Sequence, residues 1–303
     1  MTGGSYNGGM ESVGDVRIDP AVRLGPEEIA AYRRDGYIKV EQLLGPEEVA
    51  ELREVTDSFV EQSRGVETHT DVFDLEPGHS ASQPRLRRLK SPHLRHPAYD
   101  RLLHDPRILA LVGQLVGPGI RVHGTKLNLK SAGWGSEVDW HQDWAFYPHT
   151  NDDVLAVGVA IDDMTTANGC LMVVPGSHHG PTLDHHQAGV FVGSISAAAH
   201  AGDGAVPVEL PAGGISIHHA RLIHGSSPNT SGRPRRLLLF EYAAADAWPL
   251  LGPAGGWDAY HAALVGGDEV LVPRVEPAPV RIPLPQPARH GSIYELQSQR
   301  LPG

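Results

Sequence analysis

Trp140-His141-Gln142-Asp143-Trp144 is the stretch from which the fold and the chemistry of this chain can be inferred. Side chains alternate between the two faces of an extended strand, so His141 and Asp143 point to the same side and both can reach one ion. A later segment, Ile223-His224-Gly225-Ser226, offers His224 as a third ligand. Two imidazoles and one carboxylate on one face of a metal leave the opposite positions free for a co-substrate and O2. This donor set is typical of non-heme Fe(II) oxygenases.

Arginines follow the second segment, where the chain turns and returns as a strand that begins at Arg235. An Arg pairs a carboxylate bidentately, and a guanidinium close to an iron can therefore anchor a dicarboxylate whose other end chelates the metal. The spacing predicts 2-oxoglutarate as co-substrate. Arg236 should face away from Arg235 on the strand, and Arg233 precedes Pro234 in the turn. We therefore prefer Arg235 for the far carboxylate, with Ser226 as a second donor.

Five short motifs occur along the chain in an order that resembles the phytanoyl-CoA dioxygenase family. They are His141-Gln142-Asp143, Phe146-Tyr147-Pro148, Asn168-Gly169-Cys170-Leu171, Val174-Pro175-Gly176-Ser177-His178, and His224-Gly225-Ser226 through Asn229 to Arg235. The resemblance runs from about Leu24 to about Ala245. It implies a mainly β fold with flanking helices (α+β), a double-stranded β-helix or cupin-like jelly roll. It also implies Fe(II), 2-oxoglutarate and O2 as cofactors, with ascorbate as a reductant in vitro.

Three histidines, His218, His219 and His224, compete for the third metal position. The resemblance favours His224, because its turn residues and its interval to Arg235 match the family pattern. His219 resembles a recurrent structural histidine of the preceding strand, and His218 is expected at the surface. Related halogenating enzymes have a small residue in place of the aspartate, so the carboxylate of Asp143 favours hydroxylation, with desaturation or cyclisation left open.

Four further residues are candidates for contacts with the ligands. Lys90 lies where the family has a lysine near the co-substrate, although a solvated basic patch is an equal alternative. Lys126 replaces an apolar residue beside 2-oxoglutarate; pointing inward it would reach a carboxylate of co-substrate or substrate, and pointing outward it would only solubilise the surface. Trp144 and Phe146, just beyond Asp143, are the candidate substrate contacts, whereas Trp140 is expected in the core.

Composition narrows the class of protein. With 35 Gly and 25 Pro among 303 residues, the chain should contain many turns and short strands. A net charge of −11 without a basic block argues against nucleic acid and anionic membranes as partners and leaves a small-molecule substrate. The single cysteine, Cys170, cannot form an internal disulfide, and no apolar run is long enough for a signal or membrane segment, so we expect a cytoplasmic protein. The composition does not determine the oligomeric state.

The chain divides into three parts by composition and periodicity. Residues 1–23 are expected to be a flexible leader, residues 24–245 the Fe(II)/2-oxoglutarate oxygenase domain, and residues 246–303 a Pro-rich C-terminal extension packed on that domain. Helices should begin after Gly25 and Gly45, where Pro and acidic residues favour an N-terminus, and a further helix should span about Tyr99 to Val116. Residues 67–86 should form a loop.

The leading functional hypothesis is a dioxygenase that hydroxylates an unactivated carbon of a small molecule and releases succinate and CO2. The substrate class, a secondary metabolite, an amino acid or an acyl derivative, is left open. One alternative is a cupin-like metal-binding protein without oxygenase activity, which would not require Arg235 and Ser226. Another is an acyl-CoA 2-hydroxylase, for which Arg85, Arg87, Arg88 and Lys90 could form a basic entrance.

Overall fold

The computed structural model describes residues 21–196 and 199–286, which form two main β-sheets with helices packed outside them. The helices are α1 Pro26–Asp35, α2 Pro46–Gln62, α3 Pro97–Leu103, α4 Pro106–Val116 and α5 Gly256–Ala262. The strands are β1 Tyr37–Val40, β2 Phe73–Leu75, β3 Leu86–Lys90, β4 Ile120–Lys130, β5 Val138–His141, β6 Val154–Ala160, β7 Leu171–Val173, β8 His186–Gln187, β9 Val190–Phe191, β10 Val206–Val208, β11 Ile215–His219, β12 His224–Ser226, β13 Arg235–Ala244 and β14 Leu264–Gly266.

The larger sheet has the strand order β1-β11-β6-β13-β4-β3-β2, with β14 pairing β4, and the smaller sheet has the order β10-β7-β12-β5. Strands β10 to β13 fall alternately in the smaller and the larger sheet, and their pairings are antiparallel. A chain that crosses between two antiparallel sheets in this way is a jelly roll. The predicted fold class is confirmed.

The hydrophobic core lies between the larger sheet and the helices. Every residue of β6 is buried, as expected for a central strand that pairs with β11 on one side and β13 on the other. Helix α2 begins after Gly45 as predicted, and the Glu48 carboxylate accepts a hydrogen bond of 2.7 Å from the Gly45 N–H. Its apolar face, Val49, Leu52, Val55 and Phe59, is buried, which stabilises the fold by about 1.5–3 kcal/mol per side chain.

Two local predictions were wrong in detail. The helix expected from Tyr99 to Val116 is two helices, α3 and α4, because Pro106 cannot continue a helical hydrogen-bond ladder and Asp105 caps the second helix by accepting from Arg107 N–H at 2.8 Å. The loop predicted over residues 67–86 contains strand β2, which pairs with β3 at the edge of the larger sheet.

Residues 267–286 run along the body of the protein without forming helix or strand. The indole N–H of Trp144 donates to the Pro279 carbonyl at 2.9 Å, and the Phe191 N–H donates to the Pro285 carbonyl at 3.0 Å. Most of the expected leader, residues 1–20, and the end of the expected extension, residues 287–303, lie outside the described residues. Within the described ranges no helix has both the length and the apolar character needed to cross a bilayer.

Candidate active site

The pairing of β5 with β12 in the smaller sheet brings two of the candidate ligands together. His141 ends β5, His224 begins β12, and the two residues are direct partners in the register, with ring centroids 4.1 Å apart. Asp143 begins a short 3-10 turn rather than lying on the strand. The extended backbone of Gln142, at φ −119° and ψ 125°, nevertheless continues the alternation by one residue, so Asp143 points to the same side as His141.

The three side chains converge on one point. His141 Nε2 lies 3.7 Å from Asp143 Oδ1, and His224 Nε2 lies 3.8 Å from Asp143 Oδ2. One ligand atom from each residue lies within 4.8 Å of the other two, and all three residues are buried. Each imidazole has its Nδ1 within hydrogen-bond distance of a carbonyl, Asp139 O at 2.8 Å for His141 and Leu222 O at 2.9 Å for His224. These contacts orient both Nε2 atoms toward the centre, as a carbonyl at the other ring nitrogen does for histidines that bind metals.

Burial and neighbouring charges set the protonation states of the three side chains to those that suit a cation. Burial holds the pKa of His141 well below its usual value and lowers that of His224 to about 4, so both imidazoles are neutral. Burial alone would raise the pKa of Asp143, but the ammonium of Lys126 outweighs it and helps to hold that pKa well below its usual range. Two neutral imidazoles and an ionised carboxylate are the protonation states that a divalent metal requires. The donor set fits Fe(II).

Arg235 and Ser226 lie at the other end of the same cavity. Arg235 is buried, lines the cavity and donates from Nε to the Gly169 carbonyl at 3.2 Å. The hydroxyl of Ser226 accepts a hydrogen bond of 2.7 Å from Lys130 Nζ. Burial and the charge of Arg235 lower the pKa of Lys130 to about 6. A buried guanidinium and a hydroxyl therefore line the same cavity as His141, Asp143 and His224.

Lys126 points inward and lies at the metal end of the cavity. Its Nζ is 2.7 Å from Glu241 Oε1 and 3.7 Å from Asp143 Oδ1. Burial opposes the charge of Lys126, but the carboxylates of Asp143 and Glu241 raise its pKa above the usual value, so the ammonium is retained. Burial and the same two carboxylates raise the pKa of Tyr147 well above its usual value. Of the two orientations considered for Lys126, the structure shows the inward one.

His218 and Asn128 are cavity residues that were not anticipated from the sequence, and Arg88 was considered only for an acyl-CoA entrance. His218, expected at the surface, is buried, lines the cavity and has its Nε2 3.6 Å from Asp143 Oδ2. Arg88 and Asn128 also line the cavity, with Arg88 Nε donating to Asn128 Oδ1 at 3.0 Å. The alternation of β4 was an available signal, since residues two apart on a strand share a face. It places Asn128 on the same face as Lys126.

Lys90 is not brought to the cavity. Its Nζ lies 2.7 Å from Asp74 Oδ1 on the neighbouring strand β2 and donates to the Thr70 carbonyl at 2.9 Å. The arginines considered for a basic acyl-CoA entrance each contact a different partner. Arg85 stacks over Trp134, Arg87 lies 3.5 Å from Glu76, and Arg88 is bound to Asn128.

The two tryptophans that flank the triad differ from expectation. Trp144, the candidate substrate contact, has 0% of its surface exposed and packs in the hydrophobic core, with its indole bound to the extension. Trp140, expected in the core, is only half-buried. Residue 144 lies in the 3-10 turn that begins at Asp143, and its side chain packs in the core on the side away from the triad's cavity.

Phe146 lies beside the triad and lines a second cavity. Its ring meets that of His141 edge-on at 5.9 Å. The second cavity has a volume of about 440 Å³. Its lining includes His93, Arg121, His123, Phe146, Tyr147 and His149. Because Phe146 lines this cavity and its ring contacts that of His141, the cavity adjoins the triad.

The remaining histidines serve the scaffold around the triad. His185 Nε2 accepts a hydrogen bond of 2.9 Å from the Gln142 N–H, which fixes the residue between the two ligands. His219 lies 3.9 Å from Asp152, on the opposite side of β11 from His218. Within the described ranges, the only group of three or more His, Cys, Asp or Glu side chains suited to a metal is His141, Asp143 and His224.

A jelly roll that carries a His-x-Asp and distal His cluster, with a buried arginine at the far end of the cavity, defines the class of Fe(II)- and 2-oxoglutarate-dependent dioxygenases. Residues 32–237 match the family model of phytanoyl-CoA dioxygenase (PhyH), and the chain belongs to this family. The chain is an oxidoreductase of that class, with Fe(II), 2-oxoglutarate and O2 as its cofactors.

Relatives with named activities span much of the chain. The sequence is 37% identical over 278 residues to a probable alpha-ketoglutarate-dependent hypophosphite dioxygenase of Stutzerimonas stutzeri, covering 89% of this chain and 96% of the relative. It is 30% identical to the L-proline trans-4-hydroxylase of Streptomyces griseoviridis, covering 70% and 83%. Among solved structures, iron-bound EctD from S. alaskensis is similar in fold, with a TM-score of 0.65 at 24% identity over 88% of this chain and 94% of EctD.

Proposed function

We propose that this dioxygenase inserts oxygen into a small anionic substrate, with hypophosphite as the first candidate, and that His141, Asp143 and His224 hold its Fe(II). The observation that carries the proposal is the hypophosphite dioxygenase relative, whose similarity spans nearly the whole of both chains. The cavity supports it, since Arg88 and Lys126 add positive charge beyond the guanidinium of Arg235.

The residues of the cavity divide into two groups by what they would bind. Arg235 and Ser226 would hold the far carboxylate of 2-oxoglutarate, with the guanidinium supplying paired donors. Leu171, Leu237 and Leu239 line the space between the two ends and would exclude water from the diacid chain. Lys126, His218 and Arg88 would face the open side of the metal, where the substrate enters.

The reaction balances with one O2 for each substrate. Fe(II) and 2-oxoglutarate supply the activation of O2 when bound. One oxygen atom enters a P–H bond of hypophosphite to give P–OH, and phosphite is formed. The other oxygen atom enters succinate as 2-oxoglutarate loses CO2. The protein contributes by positioning the anion and keeping bulk water out.

The test is turnover of the purified protein with Fe(II), ascorbate, O2 and 2-oxoglutarate. Phosphorus NMR would follow hypophosphite and phosphite while succinate is measured in parallel. We expect hypophosphite to stimulate succinate release, with phosphite and succinate formed in equal amounts. L-proline and ectoine serve as comparison substrates. Succinate release that none of the three stimulates, or that only an organic substrate stimulates, would contradict the proposal.

A second candidate function, hydroxylation of an organic small molecule at carbon, is favoured by the second cavity. Its volume of about 440 Å³ exceeds what an oxyanion with three non-hydrogen atoms needs, and Phe146 connects its lining to the ring of His141. Formation of a hydroxylated product from an amino acid or other organic acid, with hypophosphite inert, would select this function.

We also propose a division of the chain into two parts and a cytoplasmic location. Residues 24–245 would form the oxygenase domain, and residues 246–303 an extension packed on it. The hydrogen bonds from Trp144 to Pro279 and from Phe191 to Pro285 support this arrangement for the described part of the extension. The lone cysteine, Cys170, is buried and free, in keeping with a reducing cytoplasm.

A further inference from the structure

We propose that Lys126 is the residue that binds the anionic oxygen of the substrate, and that it sets the preference of this enzyme for anions. The identity of the anion rests on the proposed function. The role of Lys126 rests on its position, its unused donor and the carboxylates that hold it in place.

The position of Lys126 separates it from the anchor for 2-oxoglutarate. Lys130, which touches Ser226, lies four residues further along the same strand, or about 13 Å away at about 3.3 Å per residue. The Nζ of Lys126 lies instead 3.7 Å from Asp143 Oδ1. Its charge is therefore at the metal end of the cavity, where it cannot also serve the carboxylate held by Arg235 and Ser226.

The ammonium of Lys126 has a donor to spare. A lysine carries three N–H donors and no acceptor. Glu241 Oε1, 2.7 Å from Nζ, accepts from one of these donors, and Asp143 Oδ1, 3.7 Å from Nζ, faces a second. Because Lys126 lines the cavity, its third donor can meet a ligand there. Hydrogen bonds that involve a charged donor contribute about 1.5–3 kcal/mol, enough to select an anion over a neutral molecule.

The surroundings of Lys126 fix its orientation before any ligand binds. Glu241 is held by its ion pair with Lys126, in which Oε1 lies 2.7 Å from Nζ. It occupies space left by Gly124, its register partner on β4, where an added Cβ would lie 2.6 Å from Glu241 Oε2. Residue 124 therefore has to be small for the carboxylate to reach Lys126. A preorganised donor binds a ligand without a further cost in side-chain ordering.

The competing role for Lys126 is a contact with the metal-chelating carboxylate of 2-oxoglutarate. The two roles differ in which ligand loses affinity when the ammonium is removed. A substrate contact predicts a higher KM for hypophosphite and an unchanged KM for 2-oxoglutarate. A co-substrate contact predicts the reverse.

The test compares three variants with the wild type. Lys126→Met combined with Glu241→Gln removes the ion pair as a unit, so no unpaired carboxylate is buried beside Asp143. Lys126→Arg keeps the charge and should retain most of the affinity. Lys39→Met is the control for loss of a lysine, because Lys39 is exposed and pairs only loosely with Glu41 at 3.8 Å.

We expect the double variant to raise the KM for hypophosphite about tenfold or more, with the KM for 2-oxoglutarate changed less than about twofold. The visible charge-transfer band of the anaerobic Fe(II) and 2-oxoglutarate complex, which requires no turnover, should form normally. A rise in the KM for 2-oxoglutarate alone, or no change in either KM, would overturn the role given to Lys126.

A binding measurement keeps this inference separate from the proposed function. Hypophosphite, phosphite, formate and acetate are added to the anaerobic Fe(II) and 2-oxoglutarate complex while its charge-transfer band is followed. We expect at least one anion to shift the band of the wild type and of Lys126→Arg, and none to shift that of the double variant. If the wild type binds an anion but does not oxidise hypophosphite, only the proposed substrate fails. If the wild type responds to none, the role of Lys126 fails.

Discussion

At the scale of single residues, Asp143 connects the groups around the metal position. Its Oδ1 faces His141 and Lys126, and its Oδ2 faces His218 and His224, all at 3.6 to 3.8 Å. No other carboxylate belongs to the metal cluster of the described residues. The charge of Asp143 therefore supports metal binding and also holds the surrounding donors in place.

Asp143→Asn should sharply reduce iron-dependent turnover. The amide keeps the size of the side chain but removes the anionic ligand, and we expect a loss of about 100-fold in succinate release together with weaker Fe(II) binding. Asp258→Asn, at an exposed position of α5, is the control. Unchanged consumption of 2-oxoglutarate by Asp143→Asn would remove this residue from the metal shell.

Arg235 can be tested against its neighbour in sequence. Arg235→Met removes the buried guanidinium at the far end of the cavity, and the KM for 2-oxoglutarate should rise about 10- to 100-fold. Arg233→Met changes an exposed arginine of the preceding turn and should leave that KM unchanged. Equal effects of the two substitutions on the KM would show that the guanidinium of Arg235 does not hold the co-substrate.

Lys130 should make stability depend on pH. Its pKa is about 6 in the folded protein and 10.5 when unperturbed, so between these values the unfolded chain binds the extra proton. The destabilisation of the folded protein by the buried Lys130 ammonium is fully present below about pH 6. It decreases as the pH rises toward 10.5, by at most about 1.4 kcal/mol per pH unit.

Lys130→Met removes this dependence. The stability of the variant relative to the wild type, measured as the difference in the free energy of unfolding, should therefore be greater at about pH 6.5 than at about pH 8.5. Urea denaturation at the two pH values measures the difference. A difference between variant and wild type that does not change with pH would show that Lys130 stays charged in the folded protein.

At the scale of secondary-structure elements, the site depends on a few pairings between strands. The pairing of β12 with β5 sets His224 opposite His141, and the pairing of β13 with β4 sets Glu241 opposite Gly124. The first belongs to the smaller sheet and the second to the larger sheet. The cavity is therefore completed only when both sheets are assembled.

The C-terminal extension is attached to the body through Arg274. Its guanidinium donates to Asp153 of the body. Within the extension, the guanidinium donates to Asp246 at 2.9 Å, and the Arg274 N–H donates to the Asp246 carbonyl, also at 2.9 Å. About a third of the side chain is exposed, so solvent screening limits the contribution of these ion pairs to about 1 kcal/mol.

We expect Arg274→Met to make the extension more accessible, which limited proteolysis would detect as faster cleavage beyond residue 266, with a small decrease in the midpoint of urea unfolding. The control is Arg281→Met, since Arg281 lies on the same extension and makes a half-exposed pair with Asp184. Identical cleavage rates for the wild type and both variants would mean that Arg274 does not attach the extension.

At the scale of the whole molecule, we expect the metal to stabilise the protein first and the co-substrate to add stability only once the metal is bound. All three ligands of the metal cluster come from β5, the turn after it and β12, whereas Arg235 begins β13 of the larger sheet. A diacid that chelates the metal and reaches Arg235 would therefore connect the two sheets, and it needs the metal to do so.

Fe(II) should raise the temperature of unfolding, by the equivalent of about 2.7 kcal/mol at a concentration 100 times its Kd. 2-Oxoglutarate should add a further increase only when the metal is present. Differential scanning fluorimetry under anaerobic conditions, with EDTA as the metal-free reference, measures both effects. His224→Ala should lose them, while the exposed His261→Ala should retain them. Stabilisation by 2-oxoglutarate in EDTA would contradict this order of binding.

The sequence by itself determined the jelly roll, the cofactor class and the candidate ligands, since these depend on short motifs and on strand alternation. His141 and Asp143 share a face because only one extended residue separates them. The inward orientation of the Lys126 side chain and the burial of His218 depend on which strands pair and in which register. The sequence of a single strand does not contain this information. Trp144 packs in the core with its indole bound to Pro279, and the Lys90 ammonium is held by Asp74 of β2. Only the tertiary structure decided these placements, because each depends on residues far away in the chain.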